Sequence, residues 1–457
     1  MENPNSKIRT TGDGEMPARD VRYLSVGELR PYSGNARTHS AKQISQIAAS
    51  IRTFGFVNPV LVTEEGVIIA GHGRVEAAKQ LGMSRVPTLE ISSLSPDELR
   101  AYVIADNRIA ECADWDKDIL AIEFQALASA ELEFELEVSG FETAEIDLLL
   151  QPLEADEACD DECPPAVPKG DPVTRVGDIW LLGKHRLVCG DARLAATYGD
   201  LMKSEKAQVV FTDPPYNVKI DGHVCGGGKI QHKEFAMASG EMNSDEFKHF
   251  LISSLRNMAR VSSDGAIHFV CMDWRHLPEL LFAGAEVYSE LKNLVVWKKT
   301  NAGMGSFYRS QHELVFVYKN GRAPHRNNFG LGERGRYRTN VWEYPGVNSF
   351  GRNQADLELH PTVKPVAMIA DALRDVSRRG EVVLDGFGGA GSTLLAAERT
   401  GRRARLVELE PAYCDVTCLR FEKLTGQTPT LEASGQTFHE VSRTRCSLVE
   451  TGMEASQ

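Results

Sequence analysis

The 457-residue sequence predicts an α/β protein: a large domain on a mostly parallel sheet with helices on both faces, preceded by a smaller α+β domain. Three observations predict it. From residue 173 onward, short apolar runs alternate with helical patterns, as strands joined by crossover helices do. A glycine-rich stretch, Asp385 to Gly391, follows the apolar run EVVL and opens the helical run STLLAAERTG. Residues 21–110 carry their own alternation of strand and helix patterns, and an acidic, proline-rich stretch separates them from the rest.

Taken in order, residues 1–20 are a polar tail with no apolar segment, so no secretory leader is expected. Ala41 to Thr53 places Ile44, Ile47, Ala48 and Ile51 on one helical face. PVLVT (59–63) and GVIIA (66–70) read as strands around the turn EEG. Gly71-His72-Gly73-Arg74 then opens a helix that Gly82 closes. Residues 113–150 read as acidic amphipathic helices, which extends this domain over 21–150. Residues 151–172 combine acids and prolines with few apolar residues, and are expected to be a linker. The large domain spans 173–427, with strands expected at 208–212, 266–271, 294–297, 314–318, 381–384 and 405–407. Residues 428–457 have weak periodicity and are expected to be a loose tail.

Composition narrows the function. No apolar run is long enough to span a bilayer. Nine scattered cysteines fit a reducing cytoplasm, bacterial or phage-encoded, better than a disulfide framework. Neither Cys159/Cys163 nor Cys414/Cys418 has histidines at zinc spacing, so no metal is expected. The net charge of −13 looks wrong for a nucleic-acid partner. However, nineteen acids against two lysines fall in 111–172, which leaves the remainder slightly basic. Residues 296–355 hold ten Lys/Arg against three acids, a local field of the kind phosphate contact needs.

The chemistry concentrates in two motifs. Asp213-Pro214-Pro215-Tyr216 directly follows the strand QVVFT, and strand ends in open α/β sheets are where ligands bind. A base amine is a poor nucleophile because its lone pair is delocalised into the ring. Asp213 and the Pro214 carbonyl can accept its two N–H bonds, the prolines stiffen the backbone, and Tyr216 offers a flat face to an extruded base. The same tetrad is also good turn chemistry. The second motif, Asp385-Gly386-Phe387-Gly388-Gly389-Ala390-Gly391-Ser392-Thr393, lets backbone approach a ligand closely. Glu408 lies 23 residues after Asp385, near the spacing at which an acid holds ribose hydroxyls. The loop lacks the lysine of a nucleoside-triphosphate site, and a structural glycine turn is the plain alternative.

Together with His360-Pro361-Thr362-Val363-Lys364-Pro365, these motifs resemble the DNA amino-methyltransferases that act on adenine N6 or cytosine N4, in the beta-group order with the catalytic motif first. The resemblance implies a Rossmann-like domain dependent on S-adenosylmethionine (SAM), double-stranded DNA as partner, and a setting in DNA modification and restriction–modification. It implies that Asp213 to Tyr216 are catalytic. Asp385, Phe387, Gly389 and Gly391 would line the methionine end of SAM, with Ser392 and Thr393 starting the helix behind. Glu408 would hold the ribose, Thr362 and Lys364 the SAM carboxylate, and Asp191 the adenine. Gly386, Ala390 and Ser392 depart from the family's usual Pro, Ser and Thr.

The basic stretch 296–355 matches the family's target-recognition region. It makes Lys298, Lys299, Arg309, Arg336 and Arg338 the expected DNA contacts, with Trp297, Phe307, Tyr308, Tyr337 and Trp342 available to stack or wedge. His223 to Lys229 (HVCGGGK) suits a loop near the catalytic motif.

The N-terminal domain resembles the ParB/sulfiredoxin-like fold through Asn35-Ala36-Arg37, FGFVNPV and Gly71 to Arg74. Gly71, His72 and Arg74 would then face a phosphate or nucleotide. The sulfiredoxin cysteine is absent, and no helix-turn-helix is expected after the domain. A homodimer is left open. Adenine is favoured over cytosine-N4 because Asp begins the tetrad. An inactive, nucleotide-gated DNA-binding module is the rival from another class, and intact Asp213 and Glu408 argue against it. A nuclease is disfavoured because residues 21–110 show no two-carboxylate metal motif.

Overall fold

The computed structural model describes residues 20–130, 132–156, 170–218, 240–300, 302, 307–332, 336–346 and 363–445. The chain forms two compact units, Met1–Glu142 and Thr143–Gln457.

In the first unit a five-stranded sheet runs Val21–Ser25, Arg85–Glu90, Val60–Val62, Val67–Ala70, Arg30–Pro31. Ser40 caps the helix Ala41–Phe54 by accepting from the Gln43 N–H. The helix His72–Gln80 packs closely on it: a Cβ at Gly73 would stand 3.0 Å from Ile47 and 3.1 Å from His39. Val60, Val62, Ile68, Val75, Ala78 and Val86 form the core. A Ser95–Glu98 capping box starts the helix Pro96–Glu111.

The second unit is a ten-stranded sheet. Its order is Val341–Glu343, Glu290–Lys298, His312–Lys319, Ser262–Met272, Ala207–Thr212, Val382–Asp385, Arg403–Glu408, His185–Cys189, Ile179–Leu182, Thr430–Leu431. The five strands from Ser262–Met272 to His185–Cys189 are mutually parallel. Period-two alternation assigns their faces. Val209, Phe211, Val383, Leu406 and Leu187 face one core with the helices Val366–Val376, Ser392–Arg399 and Pro411–Thr425. Val210, Leu384, Val407 and Val188 face the other, with Ala195–Met202, Ser244–Arg260 and Leu277–Val287. The result is a three-layer α/β sandwich.

Three features differ from the sequence expectation. Residues 428–445 are not loose. Leu431 pairs with Trp180 on the sheet edge, and Phe438 and Val441 are buried, with Phe438 5.2 Å from the Trp180 ring. Their apolar residues are too widely spaced to show a period. Trp297 and Trp342, expected to be available to stack or wedge, are instead built into the sheet and its core. The helix Thr143–Asp156, expected in the N-terminal domain, lies in the second unit and reaches into the expected linker.

That helix anchors through charge. Asp147, 2% exposed, takes both terminal nitrogens of fully buried Arg402 at 3.0 and 2.8 Å. Arg379 adds a third contact at 3.3 Å. Removing one partner of a buried pair strands the other charge, so Asp147→Ala is expected to destabilise the second unit by about 3–5 kcal/mol in urea unfolding. A change below about 1 kcal/mol would show that the helix is not held this way.

Candidate active site

Asp213 and Asp385 end two neighbouring parallel strands, with Val209 opposite Val383 and Val210 opposite Leu384. Glu408 ends the next one. From Ala207–Thr212 the chain proceeds to Ser262–Met272 on one side and returns at Val382–Asp385 on the other. The three acids therefore sit at a topological switch point, where open α/β sheets bind ligands. The Thr212 hydroxyl donates to Asp385 Oδ1 at 2.9 Å, locking the two strand ends together.

The glycine loop is built around carboxylates. Asp385 Oδ1 also accepts from the Phe387 N–H at 3.0 Å, and Oδ2 from the Thr393 hydroxyl at 2.7 Å. Burial outweighs these bonds and pushes Asp385 up to about 6. Glu408 Oε2 accepts from the Gly389 N–H and Oε1 from the Glu410 N–H, both at 2.7 Å. Burial raises it to about 7. Gly391 sits at φ 83° as N-cap of Ser392–Arg399, and a Cβ there would lie 2.8 Å from Thr417. At Gly389, φ 49°, a Cβ would meet nothing within 4 Å, so open space lies above the loop. Each Glu408 oxygen has taken one N–H, which leaves acceptor capacity for two ribose hydroxyls. The residues thus fit SAM: open space over Gly389 and two under-satisfied carboxylates.

Ser392 and Thr393 are buried behind this loop. Phe387 stands 5.8 Å from Phe250, which lines a cavity of about 560 Å³ with Arg193, Met242 and His249. Asp191, in the turn after His185–Cys189, is held by Arg193 at 2.6–3.1 Å. Thr362 lies outside the described residues, as does His223 to Lys229.

Around Asp213 the structure brings together residues that the sequence did not. Tyr216 donates its hydroxyl to Asp213 Oδ1 at 2.6 Å, and Lys364 Nζ meets Oδ2 at 2.5 Å. Lys364 thus contacts the catalytic motif directly, with its ammonium 5.4 Å from the Tyr216 ring centre. Glu313, which sequence reasoning missed, completes the cluster and takes Lys299 Nζ at 2.5 Å. The signal was present: the alternation in HELVFVY puts Glu313 in phase with Val315, on a buried face.

The expected DNA contacts divide. Lys298 and Arg309 are exposed, and Lys298 pairs with exposed Glu343. Lys299 is turned inward to Glu313, 4.7 Å from the Trp297 ring centre. Arg336 and Arg338 are corrected: Arg336 is 6% exposed and bonds Asp375 at 2.9 Å, and Arg338 bonds Asp375 at 2.9 Å and the Tyr344 hydroxyl at 3.2 Å. Their charge is spent on buried acids of the helix Val366–Val376, not offered to phosphate. Trp297 and Trp342 are buried, whereas Phe307, Tyr308 and Tyr337 are exposed.

In the N-terminal unit Gly71, φ 103°, caps the helix His72–Gln80, with the Arg74 guanidinium folded over it. His72 Nε2 accepts from the Tyr32 N–H at 3.3 Å. Arg74 Nη2 reaches the Pro59 carbonyl at 3.4 Å, and its buried Nε has no hydrogen-bond partner among the described residues.

A glycine loop and acids at three adjacent strand ends, in a three-layer α/β sandwich, define a SAM-dependent methyltransferase domain. Residues 207–418 match the DNA methylase family, 11–107 the ParB N-terminal domain and 118–176 the ParB-methyltransferase HTH domain. The chain therefore carries a DNA methylase domain of the N6/N4 family over residues 207–418 together with an N-terminal ParB-like domain. The helix-turn-helix match overturns the expectation of none. It covers the helices Lys117–Ser129 and Thr143–Asp156, whose acidity hid it.

The ParB-like nuclease domain-containing protein YnaK of Escherichia coli is 51% identical over 76 residues, 17% of this chain and 87% of that protein. Type II methyltransferase M2.MboI of Moraxella bovis is 23% identical over 231 residues, 48% of this chain and 81% of that protein. The solved cytosine-N4-specific PvuII DNA methyltransferase is 16% identical, with a TM-score of 0.39 over 56% of this chain and 94% of its own. Among the described residues no helix is long and apolar enough to cross a membrane.

A buried carboxylate with a raised pKa costs stability as it ionises, so the ligand-free protein should lose stability as pH rises through about 7, where Glu408 titrates. SAM binding runs oppositely, because only the ionised acid offers full acceptor capacity. Glu408→Gln is expected to raise the melting temperature of the free protein at pH 8 and to abolish most of the SAM-linked shift. A variant that kept the full shift would remove Glu408 from the cofactor site.

Proposed function

We propose that this chain methylates the exocyclic N6 amine of an adenine turned out of double-stranded DNA at a specific sequence. The observation that carries the reading is the adjacency of Asp213 to Asp385 and the glycine loop, tied through the Thr212–Asp385 bond. Asp385, Glu408 and the backbone around Gly389 would hold SAM, which would supply an electrophilic methyl on a cationic sulfur, with a neutral thioether as the leaving group.

The chain's own residues do the rest. Asp213 and the Pro214 carbonyl accept the two amine N–H bonds, which localises the lone pair on nitrogen and aims it along one line. Extruding the base costs a few kcal/mol, and stacking on Tyr216 offsets part of it. When the new N–C bond has formed, the nitrogen sheds a proton to Asp213 or to water. Burial raises the Asp213 pKa, Lys364 opposes that rise and Glu313 adds to it, so the group is a better proton acceptor than a surface aspartate. Asp at the head of the tetrad supports adenine over cytosine.

The N-terminal unit is proposed to bind a phosphate-bearing nucleotide at Gly71, His72 and Arg74. The unpartnered Arg74 Nε beside a helix N-terminus supports this.

Chromatography of digested DNA from expressing cells is expected to show 6-methyladenine. 4-methylcytosine without it would overturn the adenine reading. Asp213→Ala should lower turnover by about 1000-fold or more while keeping the SAM-linked melting shift. Near-normal turnover would take Asp213 out of the reaction. Lys298→Ala and Arg309→Ala should each reduce the slope of log affinity against log salt by about 1. An unchanged slope would exclude that residue as a phosphate contact.

A further inference from the structure

Both oxygens of Asp213 are engaged: Oδ1 by the Tyr216 hydroxyl at 2.6 Å, Oδ2 by Lys364 Nζ at 2.5 Å. An incoming amine must therefore compete with these donors for the carboxylate. Each donor already has a second acceptor, and it is the same atom. Glu313 Oε2 lies 3.2 Å from the Tyr216 hydroxyl and 3.1 Å from Lys364 Nζ. Its other oxygen is fixed by Lys299 at 2.5 Å.

We propose that Glu313 is a positioning residue for methyl transfer: it retains Tyr216 and Lys364 as they yield Asp213 to the target amine, so that no buried donor is stranded during base capture. The inference rests on the methyl-transfer reading of the Asp213 site.

The physical need is clear from burial. The Lys364 side chain is 5% exposed, and a buried ammonium released from its only anion would lose far more than a surface lysine would. With Glu313 present, release from Asp213 is a shift between two carboxylates. The charges also balance, with Asp213 and Glu313 against Lys364 and Lys299. Burial disfavours the Glu313 charge, but the two lysines outweigh it and bring the acid down to about 2. Glu313 therefore stays ionised wherever the reaction could run. The other groups facing the cluster are Tyr216, Cys271 and Asp385. Cys271 has its thiol pushed up by burial and stays neutral.

Two consequences separate positioning from mere support. Without the negative charge of Glu313, Asp213 feels the lysines unopposed. Its pKa then falls, and the acid limb of the rate profile moves to lower pH. At the same time Lys364 binds Asp213 alone, so the amine displaces it with difficulty and kcat falls.

The test uses the full-length protein, SAM, and a duplex carrying the site found by methylation-aware sequencing. Glu313→Gln is expected to keep the SAM-linked melting shift, to lower kcat about 100-fold with the KM for SAM little changed, and to move the acid limb down by about one pH unit. Glu313→Asp, which restores the charge one methylene further back, should return the limb to its wild-type position and give an intermediate kcat. A Glu313→Gln enzyme with kcat within about threefold of wild type and an unmoved limb overturns the inference. Should that variant lose the melting shift, Glu313→Asp decides: wild-type kcat overturns the inference, whereas reduced kcat with a wild-type limb supports it. A wild-type protein that transfers no methyl group to DNA removes the underlying reading, an outcome distinct from an active wild type with an indifferent Glu313.

Discussion

The parallel pairing of Ala207–Thr212 with Val382–Asp385 is the constraint on which the site depends. The two strands are separated by more than 160 residues, yet Val209 lies opposite Val383, so both end at the same height. A slip of one residue would turn Asp213 and Asp385 to opposite faces. The register is held twice: by alternating apolar residues committed to two different cores, and by the Thr212 hydroxyl on Asp385. One polar bond at the strand tips thus couples the Asp213 strand end to the glycine loop.

Grouping acids at strand ends creates an electrostatic problem, and the structure solves it in two ways. Asp385 and Glu408 are held by hydroxyl and backbone donors, with no cationic partner among the described residues, and burial leaves them at about 6 and about 7. Such groups are poised to accept hydroxyl or ammonium donors from a ligand. Asp213 and Glu313 instead share Lys364, with Lys299 behind, a compact set of opposite charges sealed by the Tyr216 hydroxyl. The first arrangement leaves binding capacity open. The second sets two carboxylates against two ammonium groups, which hold Glu313 low and oppose the rise that burial gives Asp213. The two sets of acids therefore sit in different charge environments at neighbouring strand ends.

Much of this was legible in the sequence, for identifiable reasons. Asp213 to Tyr216 and Asp385 to Thr393 each sit at the boundary between an apolar run and a turn, where local pattern is strongest. The helix opening after Gly71 and the strand runs of the sheet were readable on the same grounds. Glu313 was not, because a lone acid in a strand looks like a solvent-facing residue until its phase with Val315 and Val317 is considered. The edge strand Thr430–Leu431 is two residues long and exists only through pairing with Ile179–Leu182. Tertiary context creates it. The helices at 117–129 and 143–156 were visible, but their acidity masked a helix-turn-helix relationship, since charge carries no information on helix geometry.

The arginines show most clearly why composition misleads. Counting Lys and Arg in 296–355 treats every cation as available to phosphate. In the folded chain Arg336 and Arg338 converge on Asp375 and Asp371, with the Tyr344 hydroxyl on Asp371 at 2.6 Å. Lys299 turns to Glu313. Arg336 and Arg338 fasten their segment to the helix Val366–Val376, and that helix follows directly on Lys364 and Pro365. Among the described residues the basic stretch thus divides: Arg336, Arg338 and Lys299 satisfy acids within the fold, and exposed members such as Lys298 and Arg309 are left to meet a polyanion.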